Sequence, residues 1–398
     1  MKQMKPGKAL TLIVIAQFLG TSLWFAGNAV IPELGELLGR SELTGAVTSA
    51  VQFGFISGTL VFALLSIPDR FSPSKVFLAS GFLASTFNFL ITVLPLHYES
   101  LLVLRFLVGF FLAGIYPVGM KIASDYYEKG LGKALGLLVG ALVFGTASPY
   151  LVKALGYQLS YQSIFWTTSG LALLGSILVG FGVPDGPHRR KSPKFDWNLL
   201  PRLSQINSLK SAASGYFGHM WELYTFWAFV PALIFWQMQH APGTGQNAIF
   251  SFSIIGIGAL SCALGGFIAE KVGSRSVALF SLIGSGICCL YLWILPQNAG
   301  GLGVVFLFIW GILVTADSPQ FSTLVAQATP AEYRGTALTL VNCLGFGLTI
   351  LSIQWTEWLI AVLGIQTAMG LLSIGPMLGI FLFKKFQKKE ALSRGLSK

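Results

Sequence analysis

Charge is scarce in this chain. Only 10% of its 398 residues are Asp, Glu, Lys or Arg, against about 25% in soluble proteins. That shortage excludes an ordinary water-soluble domain. Hydrophobic residues make up 54% and mean hydropathy is +0.71, so an integral membrane protein is expected. The apolar runs are about 20 residues long where barrel strands would show alternating segments of roughly ten, which favours the helical class over a transmembrane β-barrel. Cysteine is rare: Cys262, Cys288, Cys289 and Cys343 all fall inside apolar runs. No CxxC or Cys/His spacing occurs, so neither disulfides nor a metal site is expected. No GxxxxGK[ST] loop is present, which excludes ATP-driven work by that device. No cofactor is expected, and no nucleophile or metal constellation points to a membrane enzyme.

The sequence does hold apolar runs about 20 residues long, enough for a hydrocarbon core of about 30 Å. Twelve spanning segments are expected, at about 9–31, 44–67, 76–96, 101–122, 132–153, 163–183, 211–238, 246–269, 276–295, 302–325, 336–361 and 365–384. The fold class is therefore an all-α integral membrane protein. Orientation follows from the 26 Lys and Arg. All but Arg40, Arg105 and Lys153 lie in the two tails or in the loops after segments 2, 4, 6, 8 and 10. Cytoplasmic loops carry the Lys/Arg excess, so both termini are expected in the cytoplasm. The net charge of +11 is then a topology signal and a contact with anionic lipid, with no nucleic acid implied. The basic N-terminus runs straight into an apolar segment without a small-residue cleavage site. It is read as a first spanning helix, not a removed signal. A bacterial inner (plasma) membrane is the expected location.

The longest internal loop, 184–210, is polar, basic and Pro-containing. It is read as a cytoplasmic linker between a six-helix half at 1–183 and a six-helix half with a tail at 211–398. The halves repeat. Asp69-Arg70 follows segment 2 and Glu270-Lys271 follows segment 8. Gly109 and Pro117 of segment 4 match Gly311 and Pro319 of segment 10 at nearly the same offset. Duplicated six-helix halves are a plan of secondary transporters, with the substrate near the midplane between them.

Segment 7 contains SAASGYFGHMWELYTFWAFVPALIFWQMQ, residues 211–239. His219 and Glu222 stand near its middle, at a spacing that places them on one helical face. A carboxyl group at membrane depth costs about 2.5–3.5 kcal/mol on insertion scales. It needs a proton, a partner or water. Tyr216, Trp221, Tyr224 and Trp227 crowd the same turns. The segment is read as a wall of a solute pathway.

At these landmarks the chain resembles the major facilitator superfamily. The loop LSIPDRFSPSK, Leu65 to Lys75, is similar to the family's motif between helices 2 and 3. Asp69, Arg70 and Lys75 fit it, while Leu65 and Ser72 replace glycines. Its second copy, GFIAEKVGSR from Gly266 to Arg275, fits better. Arg105 and Gly109 resemble the family's RxxxG motif of segment 4. Segment 5 holds Gly136, Gly140 and Gly145 but lacks the Gly-Pro pair of the antiporter signature. The resemblance implies a twelve-helix secondary transporter working by alternating access. The aromatic and neutral polar residues lead us to expect a small organic solute, and Glu222 leads us to expect coupling to protons. A monomer is expected. The alternatives are an uncoupled facilitator or exporter and a transporter-like sensor. A soluble signalling domain would favour the sensor, and none is seen.

Each candidate residue has two readings. Glu222, about 17 Å from the cytoplasmic face at 1.5 Å per residue, is a proton carrier or a hydrogen-bonded structural acid. His219 relays the proton, binds solute or packs helices. Asp317 couples or gates, or it caps a bend before Pro319. Arg105 takes part in coupling, as the resemblance implies, or snorkels to the outer surface. Trp24, Asn28, Gln52, Asn342 and Gln354 offer neutral hydrogen bonds to a solute or glue helices together. Asp69, Arg70, Lys75, Glu270, Lys271 and Arg275 form a cytoplasmic gate, or they complement helix dipoles.

Overall fold

The structure, a computed structural model, describes residues 4–127, 131–156, 160–189, 195–330, 333–393 and 395. It is all-helical among the described residues. The helices are α1 (Pro6–Thr21), α2 (Ile31–Leu38), α3 (Thr44–Leu64), α4 (Ile67–Arg70), α5 (Pro73–Leu90), α6 (Tyr98–Leu112) and α7 (Tyr116–Tyr126). They continue with α8 (Leu131–Leu155), α9 (Tyr161–Gly182), α10 (Leu200–Leu203), α11 (Asn207–Met238) and α12 (Gly245–Val272). The last five are α13 (Ser274–Tyr291), α14 (Gly301–Ala316), α15 (Ser318–Ala328), α16 (Arg334–Leu371) and α17 (Ile374–Ser393).

Among the described residues, eight helical stretches are long and apolar enough to cross a membrane. One of them, Arg334–Leu392, is broken at Gly364 (φ 79°, ψ 162°) and supplies segments 11 and 12. Segments 1, 3 and 7 are also helical, as α1, α5 and α11. Every segment expected from the sequence is therefore helical.

Four segments are interrupted, segment 12 between α16 and α17. Segment 1 stops being α-helical at Thr21 and passes through a turn to a 3-10 helix at Asn28–Val30. Segment 4 breaks between α6 and α7, and segment 10 between α14 and α15. Pro117 and Pro319 sit in the first turn of the resumed helix. Proline lacks an N–H and is tolerated there because that donor has no helical partner anyway.

Helices approach closely where glycine removes side chains. A Cβ on Gly54 or Gly58 of α3 would overlap the Phe106 or Phe110 carbonyl of α6, and one on Gly109 would overlap the Val51 carbonyl. This is small-residue packing of membrane helices. α16 lies against the opposite side of α3, and α8 packs against α12. Of the linker expected at 184–210, residues 190–194 lie outside the described residues. The remainder docks near the start of α16: the Asp196 N–H donates to Thr336 Oγ1 (3.4 Å).

Candidate solute and coupling site

α11 is buried on nearly every side, and its residues sort onto separate faces. One face carries Tyr216, Tyr224 and Trp227. The Tyr224 ring lies 5.2 Å from Trp227 and 5.2 Å from Phe346. Trp24, from the turn after α1, stacks 5.8 Å from both Tyr224 and Phe346 and 4.8 Å from Phe55. Phe55 of α3 meets Phe346 of α16 at 4.7 Å. This aromatic cluster joins the first six segments to the last six. The Tyr216 hydroxyl donates to Asn342 Oδ1 at 2.5 Å. Asn28 Nδ2 donates to Thr48 Oγ1 at 2.7 Å. The Trp24 and Trp227 indole N–H groups, Asn28 Oδ1 and both amide atoms of Gln52 are buried without a partner among the described residues. A cavity of about 680 Å³ lies beside Asn28, lined in part by Arg40, Tyr150, Phe229 and Asn247.

Trp221 does not join this cluster. It packs on Trp355 at 5.6 Å, against α17 at Gly375. The reason is helical rotation: five residues from Tyr216 is well off the face that Tyr224 and Trp227 share.

The second face of α11 carries His219 and Glu222 into the packing among α13, α14 and α15. Glu222 Oε1 accepts from the Trp310 indole N–H at 2.6 Å, and Oε2 accepts from Ser285 Oγ at 2.8 Å. Cys289 Sγ lies 3.4 Å from Oε1. His219 Nδ1 stands 2.8 Å from Asp317 Oδ1. All three ionisable side chains have 0% exposure. Asp317 occupies the break between α14 and α15 and makes no side-chain cap to α15. Its carboxylate turns to His219 instead. No Lys or Arg pairs with Glu222 or Asp317 among the described residues. Trp310, Ser285 and Cys289 escaped the sequence reading. The available signal was the i, i+4 spacing of Ser285 and Cys289, two small polar groups on one face of an apolar helix.

Arg105 does not snorkel. It is fully buried, donating from Nη1 to Asn88 Oδ1 (3.1 Å) and from Nη2 to the carbonyls of Leu23 (3.0 Å) and Trp24 (2.6 Å). The end of α1 at Thr21 frees those carbonyls, and a guanidinium offers enough donors to hold both. Asn88 in turn donates to Phe165 O, Thr168 Oγ1 and Ser169 Oγ. Arg105 thus acts as a clamp on the unwound stretch that presents Trp24.

The expected gate residues have mostly local partners. Asp69 lies 3.2 Å from Lys121, which also reaches Asp125 at 3.5 Å. Lys75 Nζ donates to the Gly180 carbonyl (3.1 Å) and sits over the Phe181 ring. Arg70 is exposed, as are Glu270, Lys271 and Arg275. The Arg275 guanidinium covers the Phe383 ring at 5.7 Å.

Known proteins place this architecture. The fold is similar to the crystal structure of FucP, a transporter captured in an outward conformation: 14% identity, 95% of this chain and 98% of that chain covered, TM-score 0.66. A second structure, of the E. coli fucose:proton symporter, gives 13% identity, 96% and 99% coverage and the same TM-score. At sequence level the chain is 26% identical over 300 residues to the agnestins efflux protein AgnL12 of Paecilomyces divaricatus. That match takes in 72% of this chain and spans 63% of the length of the relative. The defining pattern of the Major Facilitator Superfamily matches residues 13–351. The chain belongs to the Major Facilitator Superfamily.

Proposed function

We propose that this protein is a proton-coupled secondary transporter of a small organic solute, working by alternating access. The observation that carries the reading is the Glu222–His219–Asp317 group: two carboxyls and an imidazole, fully buried, with no Lys or Arg as counter-ion among the described residues. An isolated buried charge is too costly to keep. Protons on the carboxyls would remove that cost, and a conformational change that wets the group would let them go. The solute would bind on the other face of α11, among Trp24, Asn28, Gln52, Tyr216, Tyr224, Trp227 and Asn342, where buried donors and acceptors lack partners. These seven side chains are uncharged, which favours a solute with hydroxyl, amide or aromatic groups. One protein of similar fold is a fucose:proton symporter, in keeping with proton coupling.

The division at 1–183, 184–210 and 211–398, the cytoplasmic termini, the monomeric state and the bacterial inner membrane belong to the same proposal. The Lys/Arg distribution supports the orientation. A second reading is export, favoured by the efflux function named for AgnL12. The test is purified protein in proteoliposomes with an imposed pH gradient and a panel of labelled neutral solutes. Glu222→Gln should abolish gradient-driven accumulation while sparing solute binding and counterflow exchange. Accumulation at the wild-type rate would make Glu222 a structural acid. The direction of pumping separates uptake from export.

A further inference from the structure

α3 starts without a cap of its own. Its N-cap residue is Leu43, which makes no side-chain hydrogen bond to the first turn. The opening N–H groups of a helix have no partner within it, and the positive end of the dipole favours a carboxylate there. The carboxylate comes from the far half of the chain. Glu357 of α16 accepts from the Gly45 N–H at 2.8 Å. One turn back along α16, Gln354 Nε2 donates to Ser49 Oγ at 3.0 Å. The approach requires glycine, since a Cβ on residue 45 would collide with the Glu357 carboxylate.

We infer that Glu357 and Gln354 are a latch that closes the face opposite the linker by capping α3 in trans. The inference rests on the alternating-access reading. In that cycle α3 and α16 must separate on this face. Separation breaks both bonds at once, leaving the first turn of α3 uncapped and Glu357 without its donor. The closed state alone enjoys the cap, so the latch biases the equilibrium towards closure. Glu357 is a positioning residue in this scheme and touches no solute.

The test is a distance measurement between spin labels. Glu36 and Gln297 are exposed on the face opposite the linker, and Leu65 and Val272 on the linker face. Each pair is replaced by Cys in the full-length protein. Wild type should give a closed and an open population. Glu357→Ala should raise the open-to-closed ratio of the 36–297 pair about tenfold, equal to about 1.4 kcal/mol. Glu357→Gln keeps an acceptor oxygen but loses the charge, so it should fall between. The 65–272 pair should move the other way. Gly45→Ala, which forces the carboxylate off, should mimic Glu357→Ala. A lower melting temperature with unchanged distances would make Glu357 a plain helix cap and overturn the latch. A single, immovable population in wild type would overturn alternating access itself, and the latch with it.

Discussion

His219 and Asp317 meet at 2.8 Å in a fully buried contact that ties α11 to the broken segment 10. The contact sits at the α14–α15 break, because Asp317 is the single residue between the two helices. Asp317→Leu removes the carboxylate that stands 2.8 Å from the buried imidazole and should lower stability by about 1–3 kcal/mol, the cost of leaving a buried polar group without its partner. Asp317→Asn keeps an acceptor oxygen of the same shape and should fold nearly as well. It should nevertheless lose gradient-driven transport. Melting curves in detergent, set beside proteoliposome uptake, check both. Equal stability and equal transport in Asp317→Asn would remove the aspartate from coupling.

The Arg105 clamp gives a second prediction. Lysine carries the same charge but is a point donor without the planar fork. Arg105→Lys cannot serve Asn88, Leu23 and Trp24 together. At least one carbonyl is orphaned, at about 1–3 kcal/mol. The apparent melting temperature should fall nearly as far in Arg105→Lys as in Arg105→Met. Intrinsic fluorescence should also report a changed Trp24 environment. A lysine variant as stable as wild type would mean that charge alone matters at this position.

These two sites show what the sequence could and could not reveal. Apolar runs and Lys/Arg placement depend on local composition, so the spanning segments were legible. Pro319 marked a bend because proline acts on its own helix. His219 and Glu222 were visible because they violate the apolar rule of their segment. Their partners were not. Trp310 lies 88 residues from Glu222, and nothing local distinguishes it from a packing tryptophan. The end of α1 at Thr21 was equally hidden, since the group that stabilises it, Arg105, sits in another segment. Glu357 carried no signal of its own in the sequence, because the α3 turn it meets lies 312 residues away in the chain.

Topology supplies a third prediction. Ser204 is exposed within the linker region, and the four native cysteines are buried. Ser204→Cys should react with a membrane-impermeant maleimide only after cells are opened. Labelling in intact cells at the same rate would reverse the orientation.

The last prediction concerns the cytoplasmic gate. Lys121 is shared between Asp69, at 3.2 Å, and Asp125, at 3.5 Å. The side chains of Asp69 and Lys121 are partly exposed, at 14% and 16%, so the pair is worth about 0–1 kcal/mol in stability. Asp69→Asn should therefore leave the melting temperature almost unchanged. Its effect should fall on the conformational equilibrium, because small energies suffice to move a two-state population. Removing the acid frees Lys121 to Asp125 and loosens the α4 end from α7. The linker-face pair 65–272 should then populate longer distances at the expense of the closed state. Lys121→Met removes the same contact from the other side and should shift the pair in the same direction, while the double variant should add little, as expected for two members of one interaction. Additive shifts would mean that each charge acts through a separate partner. No shift in either single variant would leave these charges as helix-end complements without a part in gating.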